Sequence, residues 1–206
     1  MRHASTTALI IFAKAPEAGM VKTRLIPALG AHGAAALAQR LLEHAVRLGV
    51  EAGFDYCELC TTPDIGHAAF QRLAARYSLV LTAQGEGDLG ARMHRALFRV
   101  LVDHARVLLM GSDVPALSPA VMREAATALD TVDAVFVPAL DGGYALIGLT
   151  GAQAALFTDM QWSTAHVMQA TRERAAAAQI SWTELEPVAD IDEPADLVHL
   201  PQGWLA

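Results

Sequence analysis

The chain has very little cysteine and no long apolar run. Cys57 and Cys60 are its only cysteines, and their spacing matches redox motifs and half of a zinc site. They fall in a stretch with strand character, whereas a reactive pair needs the low thiol pKa of a helix N-terminus, and two further zinc ligands at similar spacing are missing. We expect buried structural thiols. The apolar run at 8–13 is too short for a signal peptide or a membrane span, so we expect a cytoplasmic protein without membrane insertion.

Positive charge is also scarce. Lys and Arg together number 15, against 22 Asp and Glu, and the net charge is −7. Duplex nucleic acid and anionic membranes bind proteins with a surplus of basic residues. The charge therefore predicts no nucleic-acid partner, while a small anionic ligand can still bind a local cationic patch. With 53% hydrophobic residues and no break in composition, the chain is predicted to form a single domain over residues 1–206.

Short runs rich in Val, Ile and Leu alternate with longer stretches of helical periodicity. This alternation is typical of parallel strands joined by crossover helices, and it predicts one doubly wound α/β domain. The predicted strands are Ala8–Ala13, Tyr56–Thr61, Leu79–Ala83, Val107–Met110, Ala134–Pro138, Tyr144–Gly148 and one near Trp182–Glu186. The predicted helices are Ala31–Gly49, Asp88–His104, one capped by Ser118 and reaching Leu129, and one capped by Thr164 and reaching Ala178. Ligands of such sheets bind beyond the carboxyl ends of the strands.

The only two lysines of the chain lie in the loop that follows the first strand. This loop runs from Ala13 through Lys14, Gly19 and Lys22 to Arg24. A lysine ammonium suits phosphate oxygens from several directions, and a glycine lets backbone N–H groups approach them. The loop lacks the glycines of a P-loop. It predicts a phosphate site, and the alternative is a solvated surface turn.

Aspartates at the ends of two segments suggest a metal site. Asp113 follows the fourth predicted strand, after Gly111 and Ser112, and it can offer hard oxygen ligands to Mg²⁺ or Mn²⁺. Asp190 and Asp192 project to the same side if their segment is extended. Three carboxylates placed together repel one another unless a cation sits among them. The alternatives are a turn or helix cap at Asp113 and a cap of the last helix at Asp192.

Two further loops allow both a structural and a functional interpretation. The sequence 141–144, Asp-Gly-Gly-Tyr, lies between two predicted strands; it favours a hairpin turn, but it can also bring a carboxylate to an acceptor. The sequence 85–90 is a literal G-x-G-x-x-G. Its acidic Glu86 and Asp88 oppose a pyrophosphate, so a dinucleotide site is the weaker interpretation, and Gln84 can instead contact a nucleotide base. Trp162 is predicted to pack either on a ligand or on the sheet.

Taken together, these motifs resemble the nucleotide-diphospho-sugar transferase superfamily of glycosyltransferase-A fold. Within it, the chain is similar to the radical-SAM/selenodomain-associated transferases and, at greater distance, to molybdenum-cofactor and phospholactate guanylyltransferases. The similarity covers 9–197 and rests on the segments 14–24, 84–90, 111–115, 141–144 and 190–192. It implies a Rossmann-like three-layer α/β sandwich with a mostly parallel central sheet and helices on both faces. The cationic loop has a single glycine, Gly19, unlike the guanylyltransferase loop, so the resemblance leaves the base open.

The resemblance implies a transferase that uses Mg²⁺ or Mn²⁺ and an NTP or nucleotide-sugar donor. We expect nucleotidyl transfer to a small phosphorylated or hydroxyl acceptor, because three clustered cations suit a triphosphate; glycosyl transfer and a non-catalytic nucleotide-binding module are the alternatives. The expected catalytic residues are Lys14, Lys22, Arg24, Asp113 and Asp141. The expected nucleotide-binding residues are Ala13, Lys14, Gly19, Lys22, Arg24, Gln84, Gly85, Gly87, Asp88, Leu89, Ser112 and Asp113. The expected acceptor-binding residues are Asp141, Gly142, Gly143 and Tyr144, and the expected metal ligands are Asp113, Asp190 and Asp192.

Overall fold

A computed structural model describes residues 3–205, with side chains described from residue 6 onward. Its strands are β1 His3–Lys14, β2 Tyr56–Thr62, β3 Val80–Ala83, β4 His104–Gly111, β5 Ala134–Pro138, β6 Tyr144–Leu149 and β7 Trp182–Glu184. They form one seven-stranded sheet in the order β3-β2-β1-β4-β6-β5-β7. Among the strands of residues 3–205, only β6 runs antiparallel to its neighbours, β4 and β5. The predicted mostly parallel α/β sheet is confirmed.

The helices cover both faces of this sheet. They are α1 Ile26–Glu51, α2 Ala68–Tyr77, α3 Leu89–Leu101, α4 Pro119–Ala128 and α5 Val167–Ala177, and 3-10 turns lie at Thr23–Leu25, Ala154–Leu156 and Pro194–His199. One buried cluster joins one sheet face to α1, α2 and α4, and a second joins the other face to α3 and α5. Central β1 alternates between them: Leu9 belongs to the first cluster and Ile10 to the second, and both are fully buried. Burial on both faces explains why β1 is a continuous apolar run.

A third buried cluster lies beside the carboxyl end of β1. It joins Leu25 of the first 3-10 turn and Leu37 and Leu41 of α1 to Ile191, which is fully buried. The Ile191 backbone N–H also donates to the carbonyl oxygen of Asp113 at 3.1 Å. The chain after β7 is therefore pinned between α1 and the end of β4. This anchoring brings the residues on either side of Ile191 to the carboxyl edge of the sheet.

Some predicted helix boundaries were wrong. α3 ends at Leu101 and not at His104, because His104 already pairs with β1 in the sheet. Thr164 does not cap α5, which begins at Val167; its hydroxyl accepts from the N–H of His166 and donates to the Gln161 carbonyl, closing the preceding turn. α2 was not predicted.

The start of α1 depends on one glycine. α1 contains Gly30 at a φ of 69°, so its regular part begins next to the predicted Ala31. A positive φ at this position carries no steric penalty for glycine.

The two cysteines are free thiols in an apolar setting. Burial raises the pKa of Cys57 to about 12 and that of Cys60 to about 11. This is the reverse of the low pKa that a reactive pair needs, and it agrees with the prediction of structural thiols. In the part of the chain that the structure describes, no helix has the length and apolar character needed to cross a membrane.

Candidate functional site

Two adjoining cavities open at the carboxyl edge of the sheet, where the strand order changes direction between β1 and β4. The first cavity has a volume of about 430 Å³ and the second about 500 Å³. Asp113 and Tyr144 line both, so the two form one continuous cleft. This is the position at which doubly wound sheets bind ligands. The first cavity is lined by the predicted residues Ala13, Lys14, Lys22, Gln84, Leu89, Ser112 and Asp113.

The Lys22 ammonium lies between two carboxylates from distant parts of the chain. Its Nζ is 2.8 Å from Asp113 Oδ2 and 3.3 Å from Asp192 Oδ1, and the Lys22 side chain is only 8% exposed. The backbone of Lys22 is left-handed, with φ 47° and ψ 43°. For a residue with a Cβ this conformation costs about 1–2 kcal/mol. The loop therefore holds Lys22 in a strained conformation that keeps its ammonium in the cleft.

The Lys22–Asp113 pair is charged on both sides. Burial raises the pKa of Asp113, but the charge of Lys22 and its hydrogen bond outweigh burial, and the net pKa is lowered. Burial lowers the pKa of Lys22, and the same pair together with Asp192 raises it above its ordinary value. The absence of a side chain at Gly111 leaves room for the carboxylate, because a Cβ there would lie 2.8 Å from Asp113 Oδ1.

Arg24 lies on the second cavity rather than the first. Its Nη1 donates to Asp192 Oδ2 at 2.7 Å and is 3.8 Å from Glu193 Oε1. The alternative interpretation, in which Asp192 caps the last helix, is wrong. Glu193 is the capping residue, and its backbone N–H donates to Asp196 Oδ2 at 2.6 Å. The Asp192 carboxylate is therefore left to bind Lys22 and Arg24.

An arginine of α3 holds the 84–90 loop in place through hydrogen bonds to its backbone. Gln84 is 5% exposed, and its amide Nε2 donates to the carbonyls of Ala13 and Cys60 at 3.1 and 3.2 Å. Arg95 donates to the carbonyls of Gln84 and Glu86, and it fills the space beside Gly85, where a Cβ would lie 2.5 Å from Arg95 Nη1. Asp88 caps α3. This loop follows the edge strand β3 and not β1, and Arg95 occupies the space beside Gly85, so the dinucleotide interpretation stays the weaker one.

The 141–144 segment is both a hairpin turn and a wall of the second cavity. It connects the antiparallel strands β5 and β6, and Asp141 Oδ1 accepts from the Gly143 N–H at 2.8 Å. Gly142 has a φ of 93°, and a Cβ there would lie only 2.1 Å from the carbonyl oxygen of Ala165. Asp141, Gly143 and Tyr144 line the second cavity. The two interpretations of this segment are therefore compatible.

Trp162 forms an aromatic wall of the second cavity. Its ring is edge-on to Tyr144 with centroids 6.4 Å apart and is stacked with Phe157 at 6.5 Å. The ring packs against Gly90, where a Cβ would lie 2.5 Å from the indole Nε1. From the sequence, Trp162 was predicted to pack either on a ligand or on the sheet. Its contact with a small residue from a distant helix has no signal in the sequence.

Carboxylates crowd the second cavity. Asp113, Asp141 and Asp190 all line it. Burial, the charge of Asp141 and the charge of Asp113 together raise the pKa of Asp190 to about 6. Mg²⁺ and Mn²⁺ bind hard oxygen ligands such as carboxylates, and a bound cation relieves the repulsion between them. Among the described side chains, however, no three His, Cys, Asp or Glu groups already stand as a set of metal ligands, and Lys22 holds two of the predicted ones.

Most predicted site residues thus meet in one cleft, and a few lie apart. Gly19 has a φ of 81° in an exposed turn before Lys22, and Gly87 has a φ of 103° in the loop held by Arg95. Neither glycine lines a wall of the cleft, and the same holds for the predicted residues Gly85, Asp88 and Gly142. Asp190 and Asp192 also line a smaller third cavity of about 360 Å³, together with Leu140 and His199.

The chain is similar to proteins of known fold and of one described family. A family model described as uncharacterized proteins conserved in bacteria (DUF2064) matches residues 47–164, more than half of the chain. A proposed nucleotide-diphospho-sugar transferase from Desulfovibrio desulfuricans G20 superposes with a TM-score of 0.84 at 31% identity, over 93% of this chain and 84% of that one. No curated protein matches the chain.

More distant structures share the fold. A nucleotidyl transferase from Methanothermobacter thermautotroptrophicus has a TM-score of 0.68 at 16% identity, over 98% of this chain and 99% of that one. A glucosyl-3-phosphoglycerate synthase from Mycobacterium tuberculosis, solved with Mn²⁺ and UDP, has a TM-score of 0.59 at 11% identity, over 95% of this chain and 75% of that one. These neighbours are transferases, as the sequence predicts. The chain belongs to the DUF2064 family, and its fold is that of the glycosyltransferase-A type transferases.

Proposed function

We propose that this protein transfers a group from a nucleotide donor, bound in the first cavity, to a small acceptor bound in the second. The observation that carries the proposal is the cleft at the ends of β1 and β4, where Lys14 and Lys22 line one half and the strand-end Asp113 lies at the junction of both. Clefts with this combination of cations and a carboxylate suit a phosphorylated donor held beside a metal ion.

Glycosyl transfer from a nucleotide-sugar is the chemistry that the side chains favour. Of the three cations predicted to bind a triphosphate, only Lys14 and Lys22 line the first cavity, while Arg24 is paired with Asp192 on the second. Two ammonium groups suit the two phosphates of a nucleoside diphosphate leaving group. The relative at 31% identity is itself a proposed nucleotide-diphospho-sugar transferase.

Nucleotidyl transfer is the second candidate. The feature that favours it is the loop itself, since Lys14, Lys22 and Arg24 all follow β1 within one short segment. Release of Arg24 from Asp192 would place a third cation within reach of a triphosphate. The two chemistries differ in the product released, which is pyrophosphate in nucleotidyl transfer and a nucleoside diphosphate in glycosyl transfer.

A divalent cation fits the donor set of the cleft. Asp113 and Asp190 would hold it, with Asp192 if Lys22 gives up its bond to that carboxylate. When bound, such a cation neutralises phosphate oxygens and stabilises the charge of the leaving group. The protein's own side chains supply the rest: Lys14 and Lys22 bind the donor phosphates, and Asp141 orients the acceptor hydroxyl. Catalysis of this kind consists mostly of positioning and charge stabilisation.

The test is a thermal-shift screen of NTPs and nucleotide-sugars with Mn²⁺, Mg²⁺ or EDTA, followed by product analysis with each ligand that binds. A ligand at a hundredfold its Kd adds about 2.7 kcal/mol, which is about 5–10 °C for a domain of this size. We expect a metal-dependent shift with a nucleotide-sugar and release of a nucleoside diphosphate. Pyrophosphate release would select the second candidate, and the absence of any shift would reject both.

The matched variants are Asp113→Asn and Asp103→Asn. Both remove one carboxylate, but Asp113 is paired with Lys22 in the cleft, whereas Asp103 is an exposed residue after α3. We expect the Asp113 variant to lose metal-dependent turnover and the Asp103 variant to keep it. Retained turnover in the Asp113 variant would reject the assigned role.

A further inference from the structure

We propose that the second cavity selects a neutral, hydroxyl-bearing acceptor and rejects phosphorylated ones. The inference rests on the proposed transferase function and specifies its acceptor. It follows from the charges and the aromatic side chains that line this cavity, which differ sharply from those of the first.

The walls of the second cavity carry a large excess of negative charge. The charged side chains that line it are Arg24, Asp113, Asp141, Asp190, Asp192 and Glu193. The single cation among them, Arg24, is already held by two of the carboxylates, at 2.7 and 3.8 Å. Among the lining residues that the structure describes, none offers an unpaired cation to a phosphate. A phosphate needs such a partner, because charge-assisted hydrogen bonds are what bind it tightly.

Bound ligands do not reverse this excess. A divalent cation would offset two of the negative charges and Arg24 one, while the donor phosphates in the adjoining cavity add more. Lys22, whose ammonium bonds to Asp113 and Asp192, lines the first cavity and is assigned to the donor phosphates there. A phosphorylated acceptor would therefore enter a field of its own sign, which costs affinity.

The same walls suit a neutral polyol or sugar. Carboxylate oxygens accept hydrogen bonds, so each can take the O–H of an acceptor hydroxyl. Trp162 and Tyr144 add apolar surface, and Leu89, Met93 and Val167 complete that side. The Trp162 ring is fixed by its contacts with Tyr144, Phe157 and Gly90. Apolar walls with a few oriented polar groups are the usual design of a site for a small uncharged ligand.

The test compares each neutral compound with its own phosphate ester. The three tryptophans allow a direct probe: the double variant Trp182→Phe, Trp204→Phe leaves Trp162 as the only indole, and its fluorescence then reports on the second cavity. The protein is first saturated with a nucleoside diphosphate and Mn²⁺, which occupies the cations of the first cavity. Glycerol is then titrated against glycerol 3-phosphate, and glucose against glucose 6-phosphate. Saturation-transfer NMR on the unsubstituted protein repeats the comparison independently of the variant.

We expect the neutral member of each pair to change the Trp162 signal, with a Kd at least tenfold below that of its ester. Tighter binding of the esters, or no response to any neutral member, overturns the inference. Failure of the nucleotide step itself is a separate result and refers to the proposed donor site. The two failures are thus distinguishable within one experiment.

A charge substitution tests the cause of the selectivity. Ser163→Lys adds a cation at the rim of the second cavity, where Ser163 is exposed and left-handed with a φ of 61°. Ser78→Lys is the matched control, since Ser78 is also exposed and left-handed, with a φ of 54°, and it lies at the end of α2. We expect the Ser163 variant to reduce the preference at least threefold and the Ser78 variant to leave it unchanged. Equal preference in both variants would show that charge does not set the selectivity.

Discussion

Replacing Asp190 with asparagine is expected to stabilise the metal-free protein. The pKa of this carboxyl is raised from its ordinary value of 3.8 to about 6, first by burial and then by the charges of Asp141 and Asp113. The ionised side chain therefore opposes folding at neutral pH. Asparagine keeps the shape and removes the charge.

The size and sign of the effect follow from linkage. One pKa unit corresponds to about 1.4 kcal/mol, so a rise of about two units limits the penalty to about 3 kcal/mol. Solvent screening at this partly exposed group reduces it to about 1–2 kcal/mol. The folded state binds the proton more tightly than the unfolded state, so the penalty is absent below about pH 4 and complete above about pH 7. We expect a gain in Tm of about 3–6 °C near pH 8 and none near pH 4.

The assay is thermal unfolding in EDTA across this pH range, with Asp103→Asn as the matched control on an exposed carboxylate. The same scans with Mn²⁺ should reverse the ranking, because the Asp190 variant lacks one of the proposed ligands. Equal stability of the Asp190 variant and the parent near pH 8, or an equal gain at both pH values, would refute the crowding of carboxylates in the cleft.

Three substitutions test contacts that hold the sheet and its loops in place, each by denaturant unfolding. Gln84→Ala deprives two buried carbonyls of their donor and should cost about 2 kcal/mol; an unchanged free energy of unfolding would contradict the role of this amide. Gly142→Ala should destabilise well beyond Gly53→Ala, because both glycines have positive φ but an added Cβ would clash with the Ala165 carbonyl oxygen at Gly142 and would meet nothing within 4 Å at Gly53; equal losses would contradict this clash. Arg99→Met should cost about 3–5 kcal/mol by leaving the fully buried Glu58 carboxylate without its cation, and adding Glu58→Gln should recover part of the loss.

The strands could be predicted because their signals are local. Most predicted strands are apolar runs, and each is found within a few residues of its predicted bounds. β1 begins at His3, earlier than predicted, because pairing with β4 extends it into a polar stretch. The loops that follow the strands could be predicted to lie close together, because a parallel sheet brings the carboxyl ends of its strands to one edge.

Two helical features had no clear local signal. α2 is a short helix whose cap is His67, not one of the residues that usually mark a helix start. α2 instead depends on the burial of Ala69, Phe70 and Leu73, and propensity does not describe such packing. Thr164 lies in the turn before α5, and its hydroxyl donates to the Gln161 carbonyl there. It therefore does not cap the helix, although its residue type is typical of a helix cap.

The contacts inside the cleft could not be predicted from spacing. Lys22 and Asp113 are 91 positions apart, and Lys22 and Asp192 are 170 apart. The sequence indicates a phosphate ligand at one position and metal ligands at the others, as separate groups. It contains no sign that they bond to one another. The left-handed conformation that turns Lys22 into the cleft is likewise invisible in its residue type.

The bond between Lys22 and the two aspartates links the two proposed ligands of the cleft. An ammonium that binds Asp113 and Asp192 cannot also bind a phosphate with the same N–H groups, and carboxylates held by it are less free to bind a divalent cation. Donor phosphates that draw Lys22 away would release Asp113 and would leave Asp192 bonded to Arg24 alone. By thermodynamic reciprocity, a cation bound to those carboxylates would free Lys22 for the donor. Donor and metal would thus strengthen each other's binding through a lysine whose sequence position indicates only a phosphate ligand.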